Sequence, residues 1–138
     1  MFERIVVTVD GSDPARRALP FAADLASRYG SEVIVIFVFE EEETVFREPD
    51  SLMPPPGALD IADRAARLLK DVGVSARAEV RSAPTGGAAR EIVRVASEED
   101  AGLIVTGILG TSDWRGLVVG SVAHEVARLS RVPVLIVR

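Results

Sequence analysis

Apolar positions along the chain follow two rhythms in alternation. Short unbroken runs rich in Val and Ile recur at residues 3–9 (ERIVVTV), 32–38 (EVIVIFV), 103–106 and 132–137, and a run broken by Arg77 and Glu79 occupies 74–81. These runs predict strands; the continuous one at 32–38 predicts a strand covered on both faces, and the broken one a less buried strand. Between them, apolar residues return every three or four positions, which predicts helices. The first helix opens at Ser12-Asp13-Pro14, carries Ala18, Ala22, Leu25 and Tyr29 on one face and stops at Gly30. Cap residues before a helix, Pro in its first turn and Gly just past its end are the expected boundary signals. A second helix spans 58–72, with Ala58, Ala62, Ala65, Leu69 and Val72 on one face and Gly73 after it. A third follows the turn Pro84-Thr85-Gly86-Gly87 and carries Ala88, Ile92, Val95 and Ala96. A fourth spans 120–130. Residues 40–57, with four consecutive acids and three consecutive prolines, predict a solvated loop, and 107–119 a second loop.

Five strands alternating with four helices imply one α/β domain over residues 1–138. Its expected form is an open five-stranded parallel sheet with helices on both faces and right-handed crossovers. For strand order 3-2-1-4-5, a ligand is expected beyond the carboxyl ends of the strands, between strands one and four. Residues 9–12 and 106–121 are therefore the segments to inspect.

Composition narrows the chemistry. The 138 residues include 48% hydrophobic and 27% charged positions, which suits a globular domain. Cysteine is absent, so a disulfide framework, a thiolate metal site and a cysteine nucleophile are excluded. The net charge of −5 and the lack of a basic stripe with aromatics argue against nucleic acid as a partner. No apolar run approaches the ~20 residues of a membrane span, and the opening MFERIVVTVD has no signal-like segment, so a cytoplasmic location is expected. Lys70 is the only lysine, which leaves almost none to clamp a phosphate.

The main chemical signal is Gly107, two residues, Gly110, nine residues, then Gly120-Ser121. Gly107 ends a strand, where a side chain would collide with a ligand across the sheet edge. Gly110 lets amides turn towards phosphate oxygens. Gly120-Ser121 opens a helix whose free N–H groups and dipole favour an anion. Spacing alone is a weak signal; its position at the expected switch point strengthens it. The pattern is neither a P-loop nor a dinucleotide fingerprint. Asp10, ending strand one, suits a ribose hydroxyl or a water-bridged Mg²⁺, with a turn-forming role as the alternative. His124, the single histidine, lacks a partner for metal or triad chemistry, and Trp114 suits packing of the glycine loop. The acidic run at 40–43 reads as solvated surface rather than a cation site. Arg128 and Arg131 suit the negative end of the last helix.

Taken together, the opening IVVTVDGS, the strand VIVIFVFE, ASEEDAGLIVTG, the GxxG-x9-GS loop and the closing GSVAHEVARLSRVPVLIVR resemble the universal stress protein family, in its ATP-binding branch, over nearly the full length. The resemblance implies a Rossmann-like fold of the adenine nucleotide alpha hydrolase type. It implies ATP or another adenine nucleotide as ligand, with Mg²⁺ held through the nucleotide. Thr8, Val9 and Asp10 would line the adenine and ribose end, and Val38 would touch the base. Thr106 and Gly107 would flank the ribose, and Gly110, Gly120, Ser121 and Val122 would hold the phosphates. A homodimer through the last strand, Pro133 to Arg138, is also implied. The chain departs from the family where Ile108 and Leu109 follow Gly107 and Thr111 follows Gly110, positions often basic or polar. Asp113 adds a negative charge, and Arg115 is the only cation between Gly107 and Gly120. Charge-assisted bonds are about twice as strong as neutral ones, so ADP, AMP or a cyclic nucleotide stay open. The expected role is regulatory, in a stress response, without fast catalysis. The alternatives are slow ATP hydrolysis or self-phosphorylation at Ser121 or Thr111, and an interaction module whose nucleotide site has decayed.

Overall fold

The computed structural model describes residues 1–41, 54–108 and 121–138. Five strands, β1 (Arg4–Thr8), β2 (Glu32–Glu41), β3 (Ser75–Pro84), β4 (Leu103–Gly107) and β5 (Val134–Val137), alternate with α1 (Asp13–Tyr29), α2 (Ala58–Asp71), α3 (Ala88–Glu98) and α4 (Ser121–Leu129). All pairings are parallel and the strand order is β3-β2-β1-β4-β5. The order reverses between β1 and β4, where Ile5 faces Leu103 and Val7 faces Val105 across the ladder.

The unbroken apolar runs have a direct structural cause. Ile5, Val7, Val33, Val35 and Val105 join the core beneath α1 and α2. Val6, Ile34, Ile36 and Ile104 point the other way, into the core beneath α3 and α4. All nine are fully buried. Burying such a side chain contributes about 1.5–3 kcal/mol, so a polar residue at any of these positions would be costly.

Helix boundaries follow their caps. The Ser12 hydroxyl accepts from the Ala15 amide, and Gly30 closes α1 in the left-handed region (φ 67°) while its N–H donates to Ala26 O. Three expectations are corrected. Glu40 and Glu41 are strand, not loop: β2 pairs with β3 through Glu41 opposite Pro84, which also carries β3 past residue 81. The Glu40 carboxylate accepts from the Ala88 amide at 3.4 Å, so β2 supplies the cap that Gly87, without a side chain, cannot. Tyr29 and Val72, expected on the apolar stripes of their helices, are 59% and 63% exposed; Tyr29 is the last residue of α1 and Val72 is the C-cap of α2. Tyr29 instead meets Phe2 edge-on, ring centroids 5.1 Å apart.

Edge strand β3 carries Arg77, Glu79 and Arg81 on the α3 side. Arg77 pairs with Glu32, Glu79 and Glu99, and Arg81 with Glu79, Glu91 and Glu98. The hydrogen bond that Arg77 donates to the Glu99 carboxylate, outweighing burial, holds its guanidinium well above its ordinary value. Burial pushes the Glu79 carboxyl up, but hydrogen bonds from Arg77 and Arg81 win and leave it lowered. No helix among the described residues is long and apolar enough to cross a membrane.

Candidate functional site

The carboxyl edge of the sheet at β1 and β4 is lined from one side. Strand alternation turns Thr8 the same way as Val6, Thr106 the same way as Ile104, and Val38 the same way as Ile36, towards α3 and α4. Val38 and Val122 both pack, half-buried, against that core. Thr8, Val38, Thr106 and Val122 therefore share one face. Between the strand ends the Thr8 hydroxyl donates to the Thr106 hydroxyl at 2.9 Å, and the Thr106 hydroxyl donates to Gly107 O at 3.3 Å. Thr106 is buried and Thr8 half-buried.

Val9 is placed differently. Its side chain is buried in the α1/α2 core, and its amide donates to Ile36 O at 2.9 Å, so only its main chain borders the Thr8 face. Asp10 is half-buried, and its Oδ1 accepts from the Ser12 amide at 2.8 Å. This bond, with Gly11 at φ 83°, folds Asp-Gly-Ser into the turn that starts α1. The turn-forming role of Asp10 is thus real, and it also fixes the carboxylate beside the end of β1.

Gly107 has a reason for being glycine that the sequence did not reveal. A Cβ there would lie 2.6 Å from Pro14 C, 2.7 Å from Pro14 O and 2.8 Å from Ala15 N. The first turn of α1 fills the space a side chain would need. Ile108 continues the β4 ladder by donating to Val137 O. Gly110, Gly120 and the residues between them (Thr111, Asp113, Trp114 and Arg115 included) lie outside the described residues, as does the Ser121 side chain; Ser121 opens α4. His124 is exposed on α4, and among the described residues no group of three potential metal ligands occurs.

Two features were missed in the sequence: the threonine pair and the Glu40 cap. The pair had a signal, since a threonine ends each of two strands that the expected order makes neighbours. The cap had none, because its partners are 48 residues apart.

The sequence matches the profile of the universal stress protein family over residues 1–138. The chain belongs to this family. It is 31% identical to universal stress protein YxiE of Bacillus subtilis over 151 aligned positions, covering 100% of both chains. Two solved structures share its fold and bear on the site. The universal stress protein from Archaeoglobus fulgidus in complex with dAMP superposes with a TM-score of 0.74 at 25% identity, covering 100% of this chain and 98% of that one. A universal stress protein in complex with cAMP has a TM-score of 0.70 at 30% identity, covering 99% and 97%. Some structural neighbours in this family thus carry adenine nucleotides.

Proposed function

We propose that this universal stress protein binds an adenine nucleotide, ATP with Mg²⁺ in the first instance, and acts as a cytoplasmic regulatory protein without fast catalysis. The observation that carries this reading is the common face of Thr8, Val38, Thr106 and Val122 at the carboxyl edge where the strand order reverses. Its donor set fits the ligand: Val38 offers apolar contact to a flat base, and the threonine hydroxyls and the Asp10 carboxylate offer partners to a sugar. The relatives bound to dAMP and cAMP support the same reading. The base would lie towards Val38 and the ribose over Thr8, the Val9 main chain, Asp10, Thr106 and Gly107. The phosphates would turn towards Gly110, Gly120, Ser121 and Val122.

A homodimer through β5 belongs to the proposal. Edge strand β3 is guarded by alternating charges on one face, whereas β5 offers half-buried Val134 and Leu135 and exposed Ile136, with no charge among its four residues. Unguarded apolar edges are the ones that pair.

The test is mass spectrometry of the small molecule released by denaturing purified protein, with thermal melting in millimolar MgATP. A co-purified adenine nucleotide, or a stabilisation of about 1.4 kcal/mol at ten times Kd, is expected. No bound nucleotide and no shift would overturn the reading. The interaction-module alternative, favoured by the single cation between Gly107 and Gly120, would then take its place.

A further inference from the structure

The two threonines at the strand ends form a directed relay. Thr106 lies 3.3 Å from Gly107 O and 2.9 Å from the Thr8 hydroxyl. A carbonyl oxygen can only accept, so the Thr106 proton points to Gly107 O. The proton that bridges the two hydroxyls then belongs to Thr8. A threonine hydroxyl has one proton and two acceptor lone pairs. With its proton directed inward, Thr8 presents only lone pairs outward, and among the described residues its hydroxyl has no other hydrogen-bond partner. Thr106 is 3% exposed, whereas Thr8 is half-buried, so Thr8 is the member a ligand reaches.

We infer that this relay makes Thr8 a fixed hydrogen-bond acceptor that selects a nucleotide with a ribose hydroxyl over its deoxyribose analogue. The inference rests on the adenine-nucleotide reading above and deepens it. The sugar is the part of the ligand that meets Thr8 because of the strand order. Val38 stands on β2, Thr8 on β1, Thr106 on β4, and α4 begins beyond β4. Neighbouring strands lie about 4.8 Å apart. A base against β2 and phosphates at the start of α4 leave the ribose over β1 and β4. A ribose hydroxyl supplies the donor that Thr8 lacks. A deoxy sugar puts a C–H there and leaves the acceptor without a partner and shielded from water. Such an unmade bond costs more than a made one contributes.

Isothermal titration of the full chain with ATP, 2′-deoxy-ATP and 3′-deoxy-ATP, at fixed Mg²⁺, tests the inference. One of the two deoxy analogues is expected to bind about tenfold more weakly than ATP. Thr106→Val releases the Thr8 proton, so the ratio should shrink to about twofold or less, while Thr106→Ser keeps the relay and the tenfold ratio. Should Thr106→Val not fold, Thr8→Ala serves instead: ATP should then bind no better than the discriminated deoxy analogue. Equal binding of all three nucleotides by the unaltered protein overturns the inference, as does a tenfold ratio that survives Thr106→Val or Thr8→Ala. Failure of all three to bind overturns the nucleotide reading itself, an outcome distinct from lost preference.

Discussion

Replacing Gly107 by alanine adds one methyl group where the end of β4 meets the first turn of α1, main chain against main chain. The new Cβ would lie 2.6–2.8 Å from three backbone atoms of Pro14 and Ala15. None of these can swing aside as a side-chain tip could. To restore ordinary contact, α1 or β4 must move by nearly 1 Å, and α1 is anchored by buried Ala15, Ala18 and Leu19. Overpacking of this kind costs about 1–3 kcal/mol, and a backbone-limited case belongs in the upper half of that range. At about 2.1 cal/mol/K per residue, the 138-residue chain has a melting entropy of about 0.3 kcal/mol/K, so a cost of about 2.5 kcal/mol lowers Tm by about 8 °C. The assay is thermal melting by circular dichroism without nucleotide. Gly30→Ala is the comparison: φ is 67° and nothing lies within 4 Å of the added Cβ, so only left-handed strain of about 1 kcal/mol applies, or about 3–4 °C. If Gly107→Ala melts within about 2 °C of the parent, the steric argument is wrong. If it keeps its stability but loses ligand binding, the glycine serves the ligand and not the helix.

Three further outcomes test other links. Ser12→Ala removes the side-chain acceptor for the Ala15 amide and should lower Tm by about 3–4 °C, for a cap worth about 1 kcal/mol. Glu79 has a lowered carboxyl value in the folded chain, so its stabilising share is fully present above the unfolded value of about 4.3 and is lost as pH falls through the lower folded one. Melting from pH 7 down to pH 3 should therefore show Glu79→Gln less stable than the parent at neutral pH, with the gap closing in acid; a gap that widens in acid would contradict the assignment. Ile136→Glu places a charge on the exposed apolar edge of β5 and should convert the proposed dimer to monomer in sedimentation velocity, whereas a parent that sediments as monomer rejects that dimer.

Much of the fold was legible because the strands are buried on both faces. Ile5 to Val7 and Val33 to Ile36 are fully buried, and only unbroken apolar runs satisfy two cores at once. The same local logic failed at Glu40 and Glu41. Acidic residues disfavour a strand, yet partners far along the chain hold them in one: Thr85 donates to Glu41 O, and Ala88 donates to the Glu40 carboxylate. Helical periodicity correctly marked Ala18, Ala22, Ala62 and Leu69 as buried. It could not show that Tyr29 and Val72, at the very ends of their helices, stay exposed. At the candidate site, the glycine spacing pointed to the end of β4, but the reason for Gly107 depends on how closely α1 crosses β4, a distance no pattern of residue types encodes.

That crossing also explains why the candidate site is one-sided. On the α1 side of the β4 end, the space a side chain would need is filled by the Pro14 and Ala15 main chain, so no ligand group can enter there. Thr8, Val38, Thr106 and Val122 all face the opposite layer. The two sides are nevertheless joined through one residue. Gly107 contacts α1 through its missing side chain and ends the hydroxyl relay through its carbonyl oxygen. A displacement of the β4 end that relieves a clash on the helix side therefore moves the acceptor that orients Thr106 and, through it, Thr8. Changes at Gly107 and Thr106 share a partner, so their effects on ligand preference should couple rather than add. The helix contact sets stability, the relay sets what the face accepts, and a single glycine peptide carries both.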